Sequence, residues 1–241
     1  IVFTPDGRKI LVANEGEPRE GIGEGIVDPA GSVTVITLDA ADVQKSTAVT
    51  VDFEVFDSQR ETLIADGIIM VKDNLPSVDF EPEYITATDQ KAYIALQENN
   101  AIAVLDLDTK EYSGVYSLGY KDLSGEKDAL DLVEDGVYEA KTYDAVSAYM
   151  PDGIAVYETD GKTYILTANE GDAREWGDYC NEIKATVTAT DGTEAEKVRV
   201  INAEVTDGLP EGKTVLYGAR SFSIYRVDND GLTQVFDSGN D

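Results

Sequence analysis

An all-β protein made of repeated four-stranded units is the fold class this sequence predicts, on three observations. Ala13-Asn-Glu-Gly-Glu-Pro-Arg-Glu20 and Ala168-Asn-Glu-Gly-Asp-Ala-Arg-Glu175 are near copies, identical at six of eight positions. A short motif repeated along a chain marks a repeat architecture. Each copy follows a tight-turn signal and a short β-rich apolar run, the pattern of a hairpin turn feeding a strand. Further strands flank these hairpins, and four antiparallel strands per unit make the blade of a β-propeller.

The elements follow in order. Ile1-Val2-Phe3 opens the first unit, Asp6-Gly7-Arg8-Lys9 turns it, and Ile10-Leu11-Val12 leads to Asn14-Glu15. Ser32-Val33-Thr34-Val35-Ile36 is its third strand and Val51 to Phe56 its fourth. Pro82-Glu83-Tyr84-Ile85-Thr86-Ala87 opens the second unit. Asp89-Gln90-Lys91 then leads through Tyr93-Ile94-Ala95-Leu96 to Gln97-Glu98, aligned on the glutamate as a weaker third copy of the motif. Ala101 to Leu105 and Tyr112 to Leu118 complete that unit. Pro151-Asp152-Gly153-Ile154-Ala155-Val156 opens the third, and Asp160-Gly161-Lys162 leads through Tyr164-Ile165-Leu166 to Asn169-Glu170. A last hairpin runs from Ser221 to Val227, turns at Asp228-Asn-Asp-Gly231 and returns from Leu232 to Phe236.

A bare blade needs ~40–45 residues, and these units are spaced more widely, so sequence is inserted. The chain divides into units at about 1–56, 79–120, 151–175 and 214–238, with insertions at about 57–78, 121–150 and 176–213. In the second insertion, Asp128–Glu134 and Tyr143–Tyr149 each suit a short helix; the third suits an extra hairpin. Residues 1–241 are thus read as one partial propeller of three to four blades. A closed ring has ~4–8, so flanking sequence or another copy is expected to complete it. Open blade edges favour self-association.

Charge narrows the partners. With 48 acidic against 19 basic residues and a net charge of −29, the protein repels nucleic acid and anionic membranes. It has no histidine, which removes the Ser-His-Asp triad, the commonest general base and the usual zinc, copper and iron ligand sets. The single Cys180 excludes an internal disulfide. No run approaches the ~18 apolar residues of a membrane span.

Propeller geometry brings the first strand of a blade and its hairpin partner to one face. Glu83 stands before the first strand of its unit and Glu98 ends the second; Asp152 pairs in the same way with Glu170 and Asp172, and Glu15 and Glu17 join them. Gathered carboxylates repel unless a cation or an arginine neutralises them. Arg19, Arg174 and Arg220 are the candidate arginines, as anion sites or clamps. Calcium suits the seven acids as hard oxygen ligands, magnesium less well because it demands a tighter octahedron. The competing reading is structural: Asn-Glu-Gly is turn chemistry, and each Glu–Arg pair is a clamp. No catalytic residue and no nucleotide-binding motif is evident.

Several segments occur in one order in a known family: Asp79-Phe-Glu-Pro-Glu-Tyr-Ile85, Leu96-Gln-Glu-Asn-Asn-Ala-Ile-Ala-Val104, Met150-Pro-Asp-Gly-Ile154, Thr167-Ala-Asn-Glu-Gly-Asp-Ala-Arg174, Gly218-Ala-Arg-Ser-Phe-Ser-Ile224 and Val235-Phe-Asp-Ser-Gly239. On these the chain resembles the choice-of-anchor I family, whose members carry names such as mesenchyme-specific cell-surface glycoprotein and alkaline-phosphatase-like protein. The resemblance covers nearly the whole chain. It implies a propeller, seven-bladed in the full protein, and an exported, cell-surface or extracellular bacterial setting. Family members often carry His after Lys-Asp, where this chain has Leu123. Two functions are open. One is a binding or adhesion scaffold with an acidic, calcium-holding face and an extracellular partner. The other is a calcium-dependent phosphoesterase or esterase.

Overall fold

Alternating apolar residues and Gly-rich turns fold into three four-stranded antiparallel sheets in the computed structural model, which describes residues 1–20, 26–176 and 179–240. The N-terminal sheet takes Val2–Phe3, Lys9–Asn14, Ser32–Thr37 and Thr47–Asp52. The central sheet takes Pro82–Ala87, Lys91–Leu96, Ala101–Asp106 and Tyr112–Ser117. The C-terminal sheet takes Pro151–Thr159, Lys162–Asn169, Ser221–Asp228 and Gly231–Asp237. In each, neighbours along the chain pair antiparallel.

The sheets stack through alternate residues, because successive side chains of a strand point to opposite faces. Leu11, Val33 and Val35 of the N-terminal sheet share a core with Ile94, Leu96, Ala103 and Leu105 of the central one. The other face of the central sheet, with Tyr93, Ile102 and Val104, shares a core with Ile165 and Tyr225 of the C-terminal sheet. Covered on both faces, the inner central strands read as continuous apolar runs rather than as alternation. Phe53, Phe56, Phe80 and Tyr112 form an aromatic cluster against the first core, with Phe53 stacked on Tyr112 at 4.6 Å.

Pairing register fixes which residues are equivalent. Asn14 lies opposite Ser32, Asn169 opposite Ser221, and Leu96 opposite Ala101. So Gln97, not Glu98, occupies the position of Glu15 and Glu170; alignment on the acid was one residue out. The repeated asparagines do the same work in both sheets. Asn14 Nδ2 donates to Ser32 Oγ at 3.2 Å and Thr34 Oγ1 at 2.9 Å, and Asn169 Nδ2 donates to Ser221 Oγ at 3.0 Å and Ser223 Oγ at 2.8 Å. The motif glycines, Gly16 at φ 85° and Gly171 at φ 96°, adopt the left-handed turn that favours glycine.

Three expectations change. The fourth N-terminal strand is Thr47–Asp52 rather than Val51 to Phe56, because a 3₁₀ turn begins at Glu54 and buries Phe56 in the core. The hairpin within 214–238 is no fourth unit; it pairs with Lys162–Asn169 and completes the C-terminal sheet. Neither Asp128–Glu134 nor Tyr143–Tyr149 is helical. Only a short 3₁₀ turn, Glu126–Asp128, forms, and Val146–Ala148 is a strand that finds backbone partners in a sheet.

That sheet joins the two later insertions. Tyr120–Asp122, Val146–Ala148, Val215–Leu216, Glu194–Ile201 and Glu182–Thr188 form five strands in this order, with the expected extra hairpin at its edge. Leu123, where histidine is frequent in the family resembled, is fully buried with Tyr143, Val187 and Leu216 in this layer's core.

Candidate functional site: an acidic face over a buried arginine

The first strands of the central and C-terminal sheets begin with the same irregularity. Pro82 pairs with Leu96 and Ile85 with Ile94; Pro151 pairs with Asn169 and Ile154 with Thr167. Each sheet therefore carries one extra residue there, a β-bulge, and bulges re-aim side chains. Glu83 and Asp152 are the acids in these bulges.

The bulges and strand ends bring acids from all three sheets together. Glu83 has Glu98, Glu15, Asp152 and Glu170 as charged neighbours. Glu83 is exposed, yet loss of water on one side first, then these four carboxylates, push its pKa up to about 7. Glu98 is half-buried, and burial raises its pKa too, with Arg174 pulling back and Asp172 and Glu15 adding to the rise. Glu15, Glu17, Glu98 and Asp172 line a cavity of about 280 Å³ with Glu81, Arg174 and Trp176. Trp176 stacks on Tyr179 at 4.1 Å. Gln97 Nε2 reaches Glu170 Oε2 at 3.5 Å across the junction between sheets.

Beneath the acids lies Arg174, its side chain 3% exposed. Its Nη1 donates to Glu81 Oε1 at 3.0 Å; its Nη2 donates to the Asp79 carbonyl at 2.6 Å and to Asn99 Oδ1 at 3.3 Å. Asp79 is fully buried and accepts from Val71 N at 3.0 Å and from Asn99 Nδ2 at 2.7 Å. Burial works against the charge of Arg174, but Asp79, Glu81, Glu98 and Asp28 outweigh it and hold the guanidinium protonated. Burial pushes Glu81 up to about 8; Arg174 opposes this, and Glu98, Asp79 and Asp28 reinforce it. One cation is thus shared among four carboxylates. Asp28 Oδ1 is buried with no hydrogen-bond partner among the described residues, and burial raises the pKa of that acid as well.

Of the seven acids expected at one face, Glu15, Glu98, Asp152 and Glu170 are charged neighbours of Glu83, and Glu17 and Asp172 line the adjoining cavity. No group of three or more acidic or cysteine side chains that could hold a metal ion is formed among the described residues. The three arginines separate. Arg174 is buried and pairs with Glu81 and Asp79 of the central sheet's lead-in, the arrangement of a clamp. Arg220 is exposed, forms no ion pair among the described residues and lies beside Glu170 on another cavity. The Arg19 side chain lies outside the described residues.

Glu81, Asp79 and Asp28 were not singled out as site residues. Glu81-Pro82-Glu83 held a signal: an acid two residues before Glu83 lies just ahead of the same bulge. Cys180 is exposed, and burial raises its pKa, so it is not an activated thiol. Among the described residues, no helix is long and apolar enough to cross a membrane.

No curated protein matches the chain. Among protein families, the choice-of-anchor I domain matches residues 1–241, its full length. With that match, the chain belongs to the choice-of-anchor I family.

Proposed function

We propose that this chain is the propeller portion of a secreted or cell-surface binding or adhesion protein, with the acidic face as its recognition surface. The observation carrying this reading is the meeting of Glu15, Glu83, Glu98, Asp152 and Glu170 at the strand ends of three stacked sheets. A core does not need five carboxylates in one place; loss of water, then repulsion from the other four, raises the pKa of Glu83. Stacking of four-stranded sheets through alternate faces supports blades of a ring.

Calcium is the cation that the donor chemistry suits, because it accepts six to eight oxygens at irregular geometry. Glu15, Glu83, Glu98 and Asp152 are its proposed ligands. The described residues form no ready-made group, so binding would draw these carboxylates closer. Titration calorimetry on EDTA-stripped protein, with melting curves alongside, tests this. Heat of binding at millimolar calcium or below and a raised melting temperature are expected. No heat and no shift would remove calcium and leave the acids as structural clamps.

A hydrolase is the second reading, and one observation favours it. Glu83 at about 7 is poised near neutral pH, where a general base works best. Turnover of a chromogenic phosphate or carboxylic ester, abolished in Glu83→Gln with folding intact, would establish it. Silence on both substrate classes leaves the binding protein.

A further inference from the structure

A second cavity, about 460 Å³, opens where the C-terminal sheet meets the inserted five-stranded sheet. That volume falls within the ~300–1,000 Å³ of small-ligand sites. It shares Glu170 with the acidic face, but its chemistry is mixed.

Two of its three cations, Lys197 and Arg220, hold no acidic partner among the described residues. Arg8, Arg60, Arg174, Arg199 and Arg226 each hold an acidic partner within ion-pair distance. Arg220 alone, of the arginines whose side chains are described, has none among the described residues. Lys197 on the facing wall also forms no ion pair among the described residues. Both residues sit in left-handed backbone, Arg220 at φ 51° and Lys197 at φ 60°. Long side chains avoid that conformation, and residues held in it cluster at functional sites.

Each has a local cause. Lys197 lies in a bulge of the inserted hairpin, where Ala185 pairs with Val198 but Val187 pairs with Ala195. Arg220 ends the turn that feeds Ser221–Asp228. The wall below Arg220 is rigid: the Gly218 backbone presses on the Glu170 carbonyl, leaving no room for a Cβ. The Tyr217 ring is fixed too, since its hydroxyl donates to Asn181 at 2.9 and 2.8 Å.

The remaining lining sets the ligand class. Glu134, Glu170 and Glu196 offer carboxylate acceptors, and Tyr217 offers a ring. An inorganic anion would meet the cations but be repelled by these acids. A neutral sugar would suit the acids and leave the cations unmatched. We propose that the cavity binds an acidic sugar, a uronate. Its carboxylate lies against Arg220 and Lys197, its hydroxyls donate to Glu134 and Glu170, and its C–H face covers Tyr217.

The test is NMR titration in EDTA, so that calcium at the acidic face plays no part. Glucuronate, galacturonate and their short oligomers are the probes, with glucose and inorganic phosphate as comparisons. Saturable shifts with uronates alone are expected. Arg220→Gly suits the left-handed backbone, so its melting temperature should be unchanged or raised. Losing a charge-assisted contact should weaken uronate binding by about tenfold or more. Lys197→Gly should behave alike. No saturation by any uronate, equal binding of phosphate, or full binding by Arg220→Gly would each overturn the proposal. None of these outcomes bears on calcium binding at the acidic face.

Discussion

Arg174 Nη1 donates to Glu81 Oε1 at 3.0 Å, and both side chains are more than nine-tenths buried. The pair ties the end of the repeated motif, just beyond the Lys162–Asn169 strand, to the lead-in of the central sheet. It also supplies a buried positive charge beside the acidic face. Removing it should be felt in stability before it is felt in binding.

Arg174→Met leaves Glu81 and Asp79 buried without their cation. Breaking a buried ion pair from one side costs about 3–5 kcal/mol. Chemical denaturation at pH 9, above the Glu81 value of about 8, should register a loss of that size. Arg174→Lys should recover part of it, since a lysine cannot reach Glu81, the Asp79 carbonyl and Asn99 together. A loss under 1 kcal/mol for Arg174→Met would show that the pair is not fully desolvated.

Acidity should stabilise this protein, against the usual trend. Glu81 and Glu83 have folded-state pKa values of about 8 and about 7, against an ordinary 4.5. Between 4.5 and those values the folded chain binds more protons than the unfolded chain, so stability falls as pH rises through that window. Asp191 and Asp228, held at about 2, act in the opposite sense but only at lower pH. The melting temperature should be higher at pH 5.5 than at pH 8.5, and Glu83→Gln should flatten the difference. A melting temperature that climbs from pH 5.5 to 8.5 would contradict the raised values.

The two asparagine bridges should differ in worth. Asn169 is buried and Asn14 half-buried, though each donates to two hydroxyls. Asn169→Ala should cost about 1–3 kcal/mol, while Asn14→Ala stays near the ~0.5–1.5 kcal/mol of an ordinary hydrogen bond. Equal losses in thermal melts would show that burial does not separate the two sites.

Gly218 and Gly161 separate backbone strain from steric clash. Both have positive φ, 67° and 70°, but a Cβ on Gly218 falls on the Glu170 carbonyl, whereas one on Gly161 meets nothing within 4 Å. Gly161→Ala should cost about 1–2 kcal/mol from conformation alone. Gly218→Ala should cost more and reduce soluble yield, as atoms must move at the Glu170–Gly171 junction. Comparable melting temperatures for the two variants would mean that this junction yields freely.

Much of this was legible in the sequence. Strand alternation, turn chemistry and the Asn-Glu-Gly repeat act over a few residues, so the inner hairpins of all three sheets and the gathering of Glu15, Glu83, Glu98, Asp152 and Glu170 could be read directly. The weaker repeat at Gln97-Glu98 was displaced by one position. A shared acid is a chemical likeness, whereas register is set by ladder hydrogen bonds to the next strand, and these put Leu96 opposite Ala101.

What the sequence by itself determined is an all-β chain of repeated four-stranded units, strongly acidic, with its acids at recurring strand ends. Tertiary structure alone decided three things. It joined two insertions far apart in sequence into one five-stranded sheet, because short strands must find backbone partners wherever the fold brings them. It turned Arg174 inward to Glu81 and Asp79 and left Arg220 exposed, although the sequence offers both alike as anion sites or clamps. It also set which carboxylates lose water. Desolvation is a property of what packs around a side chain, and the three sheets supply that packing from residues far apart in the chain.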